Sequence, residues 1–361
     1  MFKITSEQGK ARTGILSTKH GKIETPFFMP VATKMTAKLV SPDELEDSGV
    51  KAIIANSFLI HLDPGLEFIE KIGIHRFMNF NNVIFTDSGG FQMISRGFLV
   101  KSSDDGVTLK SPYDGVKHLL TPELAMSIQE KIQSDAAMCL DDLRFHGTCY
   151  KDVAESVKRT HDWAERCRKA HKDKKQLLFG IVQGSVFDDL RKESCRYISS
   201  LDFDGIALGG LAIGETKEQM HSIIGKCTDI LPIEKPKYVM GLGTPQDLLD
   251  AIGQGIDIFD SCYPTRVARR GTAFSSNGRI SIERRIYRHD LSPLDRNCDC
   301  IACQKYSKAY IHHLVRIKEP LGMKLVTLHN IRFVQKLLED ARQSIREGGF
   351  EKFRKQKAFN T

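Results

Sequence analysis

Eight short runs of apolar and β-branched residues recur along the chain, at 26–31, 51–55, 82–86, 135–140, 177–182, 205–208, 238–241 and 256–259. Longer amphipathic stretches separate several of them. Alternation of this kind builds a parallel sheet, because a strand reaches a parallel neighbour only through a crossover, usually a helix. Eight strands close a (β/α)8 TIM barrel, and an open, doubly wound sheet is the competing arrangement. Three intervening helices announce their starts. Ser41-Pro42-Asp43-Glu44, Thr121-Pro122-Glu123 and Thr244-Pro245-Gln246-Asp247 each set a capping hydroxyl before a proline, with an acid in the first turn.

The ends of the runs favour the barrel. They carry Asn56-Ser57, Asp87-Ser88-Gly89-Gly90, Asp141-Asp142, Gln183-Gly184, Gly209-Gly210, Gly241 and Asp260. Barrel enzymes assemble their sites from the C-terminal ends of several strands at once. After the eighth run the βα pattern stops. The expected organisation is one domain over 1–361. A barrel spans roughly 1–271 and is completed by a late helix near 328–345, with a small cysteine-bearing module, inserted or appended, over roughly 272–330. Residues from about 339 to 357 mix both signs of charge and read as a surface helix with a frayed end.

At 361 residues, with 41% hydrophobic and 27% charged residues, the chain has the make-up of a globular protein with a large core. It has no apolar run near the ~20 residues that span a bilayer and no signal-peptide core, so the expected location is cytoplasmic, without membrane association. A formal net charge of +8 favours a polyanionic partner. Arg266, Arg269 and Arg270 crowd behind Asp260. Clustered guanidiniums suit phosphate, and a carboxylate on a strand tip suits covalent attack. A capped strand end followed by a solvated basic loop fits the same residues.

Six of the nine cysteines (Cys139, Cys149, Cys167, Cys195, Cys227 and Cys262) stand singly and read as small buried hydrophobes. Cys298, Cys300 and Cys303 form a C-x-C-x2-C cluster. Three thiolates so spaced converge on one ion, and zinc is expected in a reducing compartment; an iron–sulfur cluster and unliganded thiols are the alternatives. His312, His313 and His329 are all in range as a fourth ligand, and spacing does not choose among them. Three cysteines and a histidine leave no open position, which marks a structural site.

Two carboxylates at one barrel mouth, Asp87 and Asp260, are the pattern for exchanging a group at an anomeric carbon. One attacks to form an ester; the other protonates the leaving group and then deprotonates the incoming one. Asp141 and Gln183 can grip an amidine-like edge, such as that of guanine, by parallel hydrogen bonds, with the backbone of Gly209-Gly210 adding to them. Phe91 can stack on a planar base. Each of these segments also reads as an ordinary turn, and Asp142 as a helix cap.

Taken in order, several segments resemble the bacterial form of the tRNA-guanine transglycosylase family over nearly the whole chain. They are Thr86-Asp87-Ser88-Gly89-Gly90-Phe91-Gln92, Phe179-Gly180-Ile181-Val182-Gln183-Gly184, Gly209-Gly210-Leu211-Ala212-Ile213-Gly214-Glu215 and Met240-Gly241-Leu242-Gly243-Thr244-Pro245. Phe259-Asp260 with Pro264-Thr265-Arg266, and the three clustered cysteines with Thr327-Leu328-His329-Asn330, complete the series. The resemblance implies a (β/α)8 barrel with a zinc subdomain that works as a homodimer. The implied enzyme is a pentosyltransferase that replaces the wobble guanine of certain tRNAs with a 7-deazaguanine base on the route to queuosine. It implies Asp260 as the nucleophile, Asp87 as the general acid/base, and Asp141, Gln183 and Gly210 as hydrogen-bond partners of the base. Ser88, Gly89, Gly90 and Phe91 would complete the base pocket. Anticodon-loop contacts are implied for Gly241, Leu242, Gly243, Thr244, Pro245, Gln246 and Asp247, and for Thr265, Arg266, Val267, Ala268 and Arg269. Arg270 is left as surface charge. His329 becomes the fourth ligand of one structural Zn2+ per chain.

The chain also departs from the family pattern. Ser261-Cys262-Tyr263 follows Asp260 where most bacterial members have Cys-Val after this aspartate, and Leu140-Asp141-Asp142-Leu143 replaces the usual Phe-Asp-Glu-Cys. Ile213 stands where valine is common, and Thr244 where a lysine often contacts RNA. Catalytic groups are kept and pocket groups altered. Exchange chemistry is therefore expected, with 7-aminomethyl-7-deazaguanine as the default incoming base and salvage of finished queuine as the alternative. A non-catalytic tRNA-binding subunit would have lost the nucleophile, and retention of both carboxylates argues against it. A retaining glycosidase would leave the cysteine module and the arginines unexplained.

Overall fold

The computed structural model describes residues 1–89 and 97–357. Eight parallel strands form its centre: β1 (Phe27–Pro30), β2 (Ala52–Asn56), β3 (Val83–Asp87), β4 (Ala136–Met138), β5 (Leu177–Val182), β6 (Gly205–Leu208), β7 (Lys237–Val239) and β8 (Ile258–Ser261). From β2 to β8 they pair in chain order, and β8 returns to β1. A parallel bridge between Val31 and Ile54, with Ala32 N–H donating to Ile54 O at 2.7 Å, joins β1 to β2 and closes the barrel. The expected (β/α)8 architecture is therefore the observed one, and the open sheet is excluded.

The reason the strands read as continuous apolar runs lies in how they are buried. Successive side chains point to opposite faces of a strand. Phe27, Met29, Ile54, Phe85, Phe179 and Tyr238 fill the barrel interior, while Phe28, Ile53, Ile84, Leu178 and Phe259 face the surrounding helices. Both faces are dry, so both must be apolar. Interior packing mixes sizes: a Cβ on Gly205 would lie 2.1 Å from the Phe179 ring, so glycine there makes room for the phenylalanine.

The three predicted helix starts are present. Ser41 Oγ accepts from Glu44 N–H, and the Glu44 carboxylate returns to Ser41 N–H at 2.9 Å. Thr121 and Thr244 accept from Leu124 and Asp247 N–H at 3.2 and 3.3 Å. An antiparallel sheet of residues 2–25 closes the N-terminal end of the barrel, where Leu16 and Ile23 join the interior core. A second antiparallel sheet, Leu99–Ser103, Gly106–Lys110 and Lys117–Leu120, intervenes between β3 and the next helix.

Beyond β8 the chain forms a hairpin (Thr272–Ser275 and Gly278–Ser281) and two short helices (Ile301–Lys305 and Lys308–Arg316) around a small core of their own. A 27-residue helix, Pro320–Arg346, starts in that core and runs back along the barrel. It is stitched there by Gln335 Nε2 donating to Phe28 O at 3.0 Å and Arg342 Nη1 to Pro26 O at 2.7 Å. This corrects the surface helix expected from residue 339 onward. Val334, Leu338, Ala341 and Ile345, three or four residues apart, form a buried stripe that runs on into the charged segment, and Phe350 within that segment is fully buried. Among the described residues no helix is long and apolar enough to cross a membrane.

Candidate active site

The C-terminal ends of the strands bring the predicted residues to one mouth. Asp260 ends β8. Its Oδ1 accepts a hydrogen bond from the Tyr238 hydroxyl, delivered by neighbouring β7, and another from Gly241 N–H at 3.0 Å. Asp87 ends β3, half-buried, and its carboxylate accepts from Gly89 N–H at 2.8 Å. Gly89 has a φ of +90°, and a Cβ there would sit 2.6 Å from Phe58 Cβ, so only glycine lets the turn fold back onto the carboxylate. Ser88 is buried beside it. Gly90 and Phe91 lie outside the described residues.

The two carboxylates differ in proton affinity. Loss of water and then the negative charge of Asp260 push Asp87 up to about 8, against the opposing Gly89 hydrogen bond. Burial also raises Asp260, but its bonds from Tyr238 and Gly241 favour the ionised form. The mouth thus holds a carboxylic acid that keeps its proton at neutral pH and a second carboxylate supplied with donors for its charge. Environments that push two neighbouring carboxyls apart in this way allow one to serve as an acid while the other is ionised.

Beyond β4 and β5, Gln183 Nε2 donates to Asp141 Oδ2 at 2.6 Å. Burial raises Asp141 to about 6. The Gln183 amide rests on β6 backbone: a Cβ on Gly209 would lie 2.6 Å from its Nε2, and one on Gly210 2.5 Å from its Oε1. Asp141, Gln183 and Gly210 are therefore contiguous. Asp142 does not cap a helix as expected. It is buried, ion-paired with Arg144 and Arg159, and accepts from Ser102 Oγ at 3.1 Å. Leu143 is buried next to it.

The two segments with expected RNA contacts flank the nucleophile. Gly241, Thr244 and Gln246 in the first, and Arg266, Val267 and Arg269 in the second, keep exposed or half-exposed positions. Leu242, Gly243, Pro245, Asp247, Thr265 and Ala268 are buried. Asp247 caps its helix with Thr244 and pairs with Lys217 at 3.2 Å; Thr265 Oγ1 donates to Cys262 O at 3.1 Å. Ser261 links the segments, donating to Gly241 O at 3.0 Å and packing on Gly243. The guanidiniums of Arg266 and Arg279 lie 5.9 and 5.6 Å from the Tyr263 ring centre. Arg270 is exposed.

Sequence reasoning missed two residues. Tyr238 counted only as part of an apolar run, though a tyrosine inside a barrel strand needs a partner for its hydroxyl. Arg191 was not singled out at all. It is buried and donates to the carbonyls of Ser185, Val182, Gly209 and Gly210.

In the module, Cys298, Cys300, Cys303 and His329 place their donor atoms within 4.8 Å of one another. His329 Nδ1 is 3.5 Å from Cys300 Sγ and 3.3 Å from Cys303 Sγ. A tetrahedral zinc with ordinary Zn–S and Zn–N bonds would set S and N about 3.6 Å apart, so the set fits the ion. The other ring nitrogen, Nε2, donates to Phe274 O at 2.6 Å, which leaves Nδ1 free to ligate. His312 instead donates Nδ1–H to Ile282 O, and His313 is exposed.

Fold and site together define a class: a (β/α)8 barrel with a buried pair of unequal carboxyls at its mouth and a Cys3His module after its last strand. The sequence matches the model of the family described as queuine tRNA-ribosyltransferase over residues 7–360. It is 46% identical to the queuine tRNA-ribosyltransferase of Caldanaerobacter subterraneus subsp. tengcongensis over 349 residues, covering 96% of this chain and 93% of the relative. It is 42% identical to that of Desulforamulus reducens over 355 residues (97% and 96%) and 44% identical to that of Francisella tularensis subsp. novicida over 356 residues (98% and 97%). The chain belongs to the queuine tRNA-ribosyltransferase family.

Proposed function

We propose that this chain exchanges guanine at the wobble position of the tRNA anticodon for a 7-deazaguanine base, with Asp260 as nucleophile and Asp87 as acid and base. The observation that carries the reading is the unequal pair at the mouth: Asp260 held by Tyr238 and Gly241, and Asp87 raised to about 8. Asp260 attacks ribose C1′ as the bond to guanine N9 breaks, and the departing base takes the Asp87 proton. The ribose is left as an ester on Asp260. The incoming base gives its N9 proton to Asp87 and attacks C1′, which frees Asp260.

Asp141, Gln183 and Gly210 hydrogen-bond the base, and Ser88 to Phe91 complete its pocket. Arg266, Arg269 and the exposed backbone near Gly241 and Thr244 bind the loop, whose target base must leave its stack. The buried positions of both segments shape the backbone rather than offer side chains. Asp142, locked to two arginines, acts on the frame of the base site, so its departure from the family pattern leaves aminomethyl-deazaguanine the default incoming base. Cys298, Cys300, Cys303 and His329 hold one structural zinc ion. A homodimer is supported by exposed apolar residues: Phe68 against Phe77, and Ile286, Leu291, Ile301, Tyr310, Ile317 and Leu321 in the module. The enzyme works in the cytoplasm, where tRNA is found.

The test is to incubate the protein with tRNA and each labelled base, then run denaturing gels. A protein–tRNA band and incorporation of aminomethyl-deazaguanine are expected. No band would refute the covalent reaction, and a strong preference for queuine would assign the chain to salvage. Cys300→Ala should lower zinc content and Tm together; full activity at an unchanged Tm would refute a structural metal.

A further inference from the structure

Arg191 lies on the helix Asp188–Ser200, behind the ends of β5 and β6. A buried guanidinium is costly unless its charge and its N–H groups are satisfied. Among the described residues its partners are all backbone carbonyls. Nε donates to Ser185 O at 2.8 Å, Nη1 to Val182 O at 3.1 Å and Gly209 O at 2.8 Å, and Nη2 to Gly210 O at 3.3 Å.

Those carbonyls belong to the two turns that carry Gln183 and Gly210. The peptide unit whose oxygen is Gly209 O also carries the Gly210 N–H. Drawing on the oxygen polarises the amide and makes that N–H a stronger donor. Among the described residues nothing accepts from it. The Gln183 amide sits directly on the same glycines. One cation therefore ties together both strand ends beneath the proposed base site.

We propose that Arg191 is a positioning residue of the base pocket, holding the ends of β5 and β6 in register and placing a buried positive charge behind the Gly210 donor. The inference rests on the exchange reaction above. When the C1′–N9 bond breaks, the electron pair leaves with the base, and a fixed charge behind its hydrogen-bond donor favours that state.

The test compares Arg191→Lys and Arg191→Gln in the full-length chain, reading KM for free guanine, KM for tRNA and kcat separately, beside Tm. Lysine keeps the charge but cannot span four carbonyls. A rise of about 10-fold in the base KM is expected, with the tRNA KM within about two-fold of wild type. Glutamine also removes the charge, and kcat should fall by about 100-fold. Wild-type constants in both variants would overturn the proposal. So would base and tRNA KM values that rise together in step with lost Tm, since that is a purely structural effect. Should the glutamine variant fail to fold, the split between the two KM values in the lysine variant decides. Absence of exchange by the wild-type chain would instead overturn the proposed reaction itself.

Discussion

Asp257, just before β8, and Asp260, near the strand's other end, are both buried and both raised by burial, but the molecule gives them different partners. Asp257, at the barrel floor, accepts two hydrogen bonds from Arg12, Nε at 3.0 Å and Nη2 at 2.6 Å, and a third from Lys237 N–H at 2.8 Å. Among the described residues the donors to Asp260, at the mouth, are neutral: Tyr238 and Gly241. The ends of β4 repeat the contrast. Asp135 precedes that strand with His20 and His75 each 3.0 Å from its carboxylate. Burial pushes it up, but those bonds and the one from Ile84 N–H hold it below the usual carboxylate range. Asp141, past the other end, has the Gln183 amide and rises to about 6. The floor pairs its buried carboxylates with the Arg12 guanidinium and with imidazoles, although burial still raises Asp257. The mouth keeps carboxylates in neutral company, where their proton affinities rise and can be used.

The contrast along β8 is testable by one substitution at each end. Asp260→Asn should cut exchange by about 10⁴-fold or more and abolish the gel-stable adduct, without lowering Tm. Asp257→Asn leaves the Arg12 charge uncompensated and should cost about 3–5 kcal/mol in urea unfolding, while the folded fraction keeps its kcat. Equal loss of stability from the two would break the comparison.

Asp87→Asn sharpens it further, because this acid at the mouth should cost stability as it ionises. In the wild type this carboxyl is raised from 3.8 to about 8, so the folded protein keeps a proton that the unfolded chain releases. Stability is then full below about pH 4 and is lost as pH rises towards about 8. Asparagine has no such dependence. The Tm advantage of Asp87→Asn should grow over that interval and level off above it, while exchange is lost. A constant Tm difference across the interval would contradict the raised proton affinity.

Tyr238→Phe should have the smallest effect. Removing the hydroxyl takes away a bond that favours ionised Asp260, so the acid limb of the kcat profile should move to higher pH. At neutral pH kcat should drop by about 10-fold, the worth of one hydrogen bond to a charged group. An unmoved acid limb would mean that Gly241 alone holds the nucleophile.

Much of this was legible before any coordinates. The barrel strands are apolar on both faces, so their runs stand out, and 177–182 and 205–208 coincide with β5 and β6. The helix caps are contacts across three residues and are written locally. The cysteine cluster is nearly as local, but its fourth ligand is not. His329 is 26 residues from Cys303, and spacing left three histidines equal until the Phe274 carbonyl fixed its tautomer. Asp142 was misread because its partners, Arg159 and Ser102, come from a later helix and an earlier strand. The stripe Val334, Leu338, Ala341, Ile345 was hidden by charges on the other faces of the same helix.

By itself the sequence determined the eight strands, their order, the carboxylates at their ends and the thiol cluster beyond them, because periodicity, turns and short spacings act over a few residues. Only the tertiary structure decided which buried aspartate meets a guanidinium and which receives neutral donors. Arg12 reaches Asp257 across 245 positions, and Arg191 reaches the turns of two different strands. Proton affinity depends on the groups within a few ångströms, and in a closed barrel those groups arrive from distant parts of the chain.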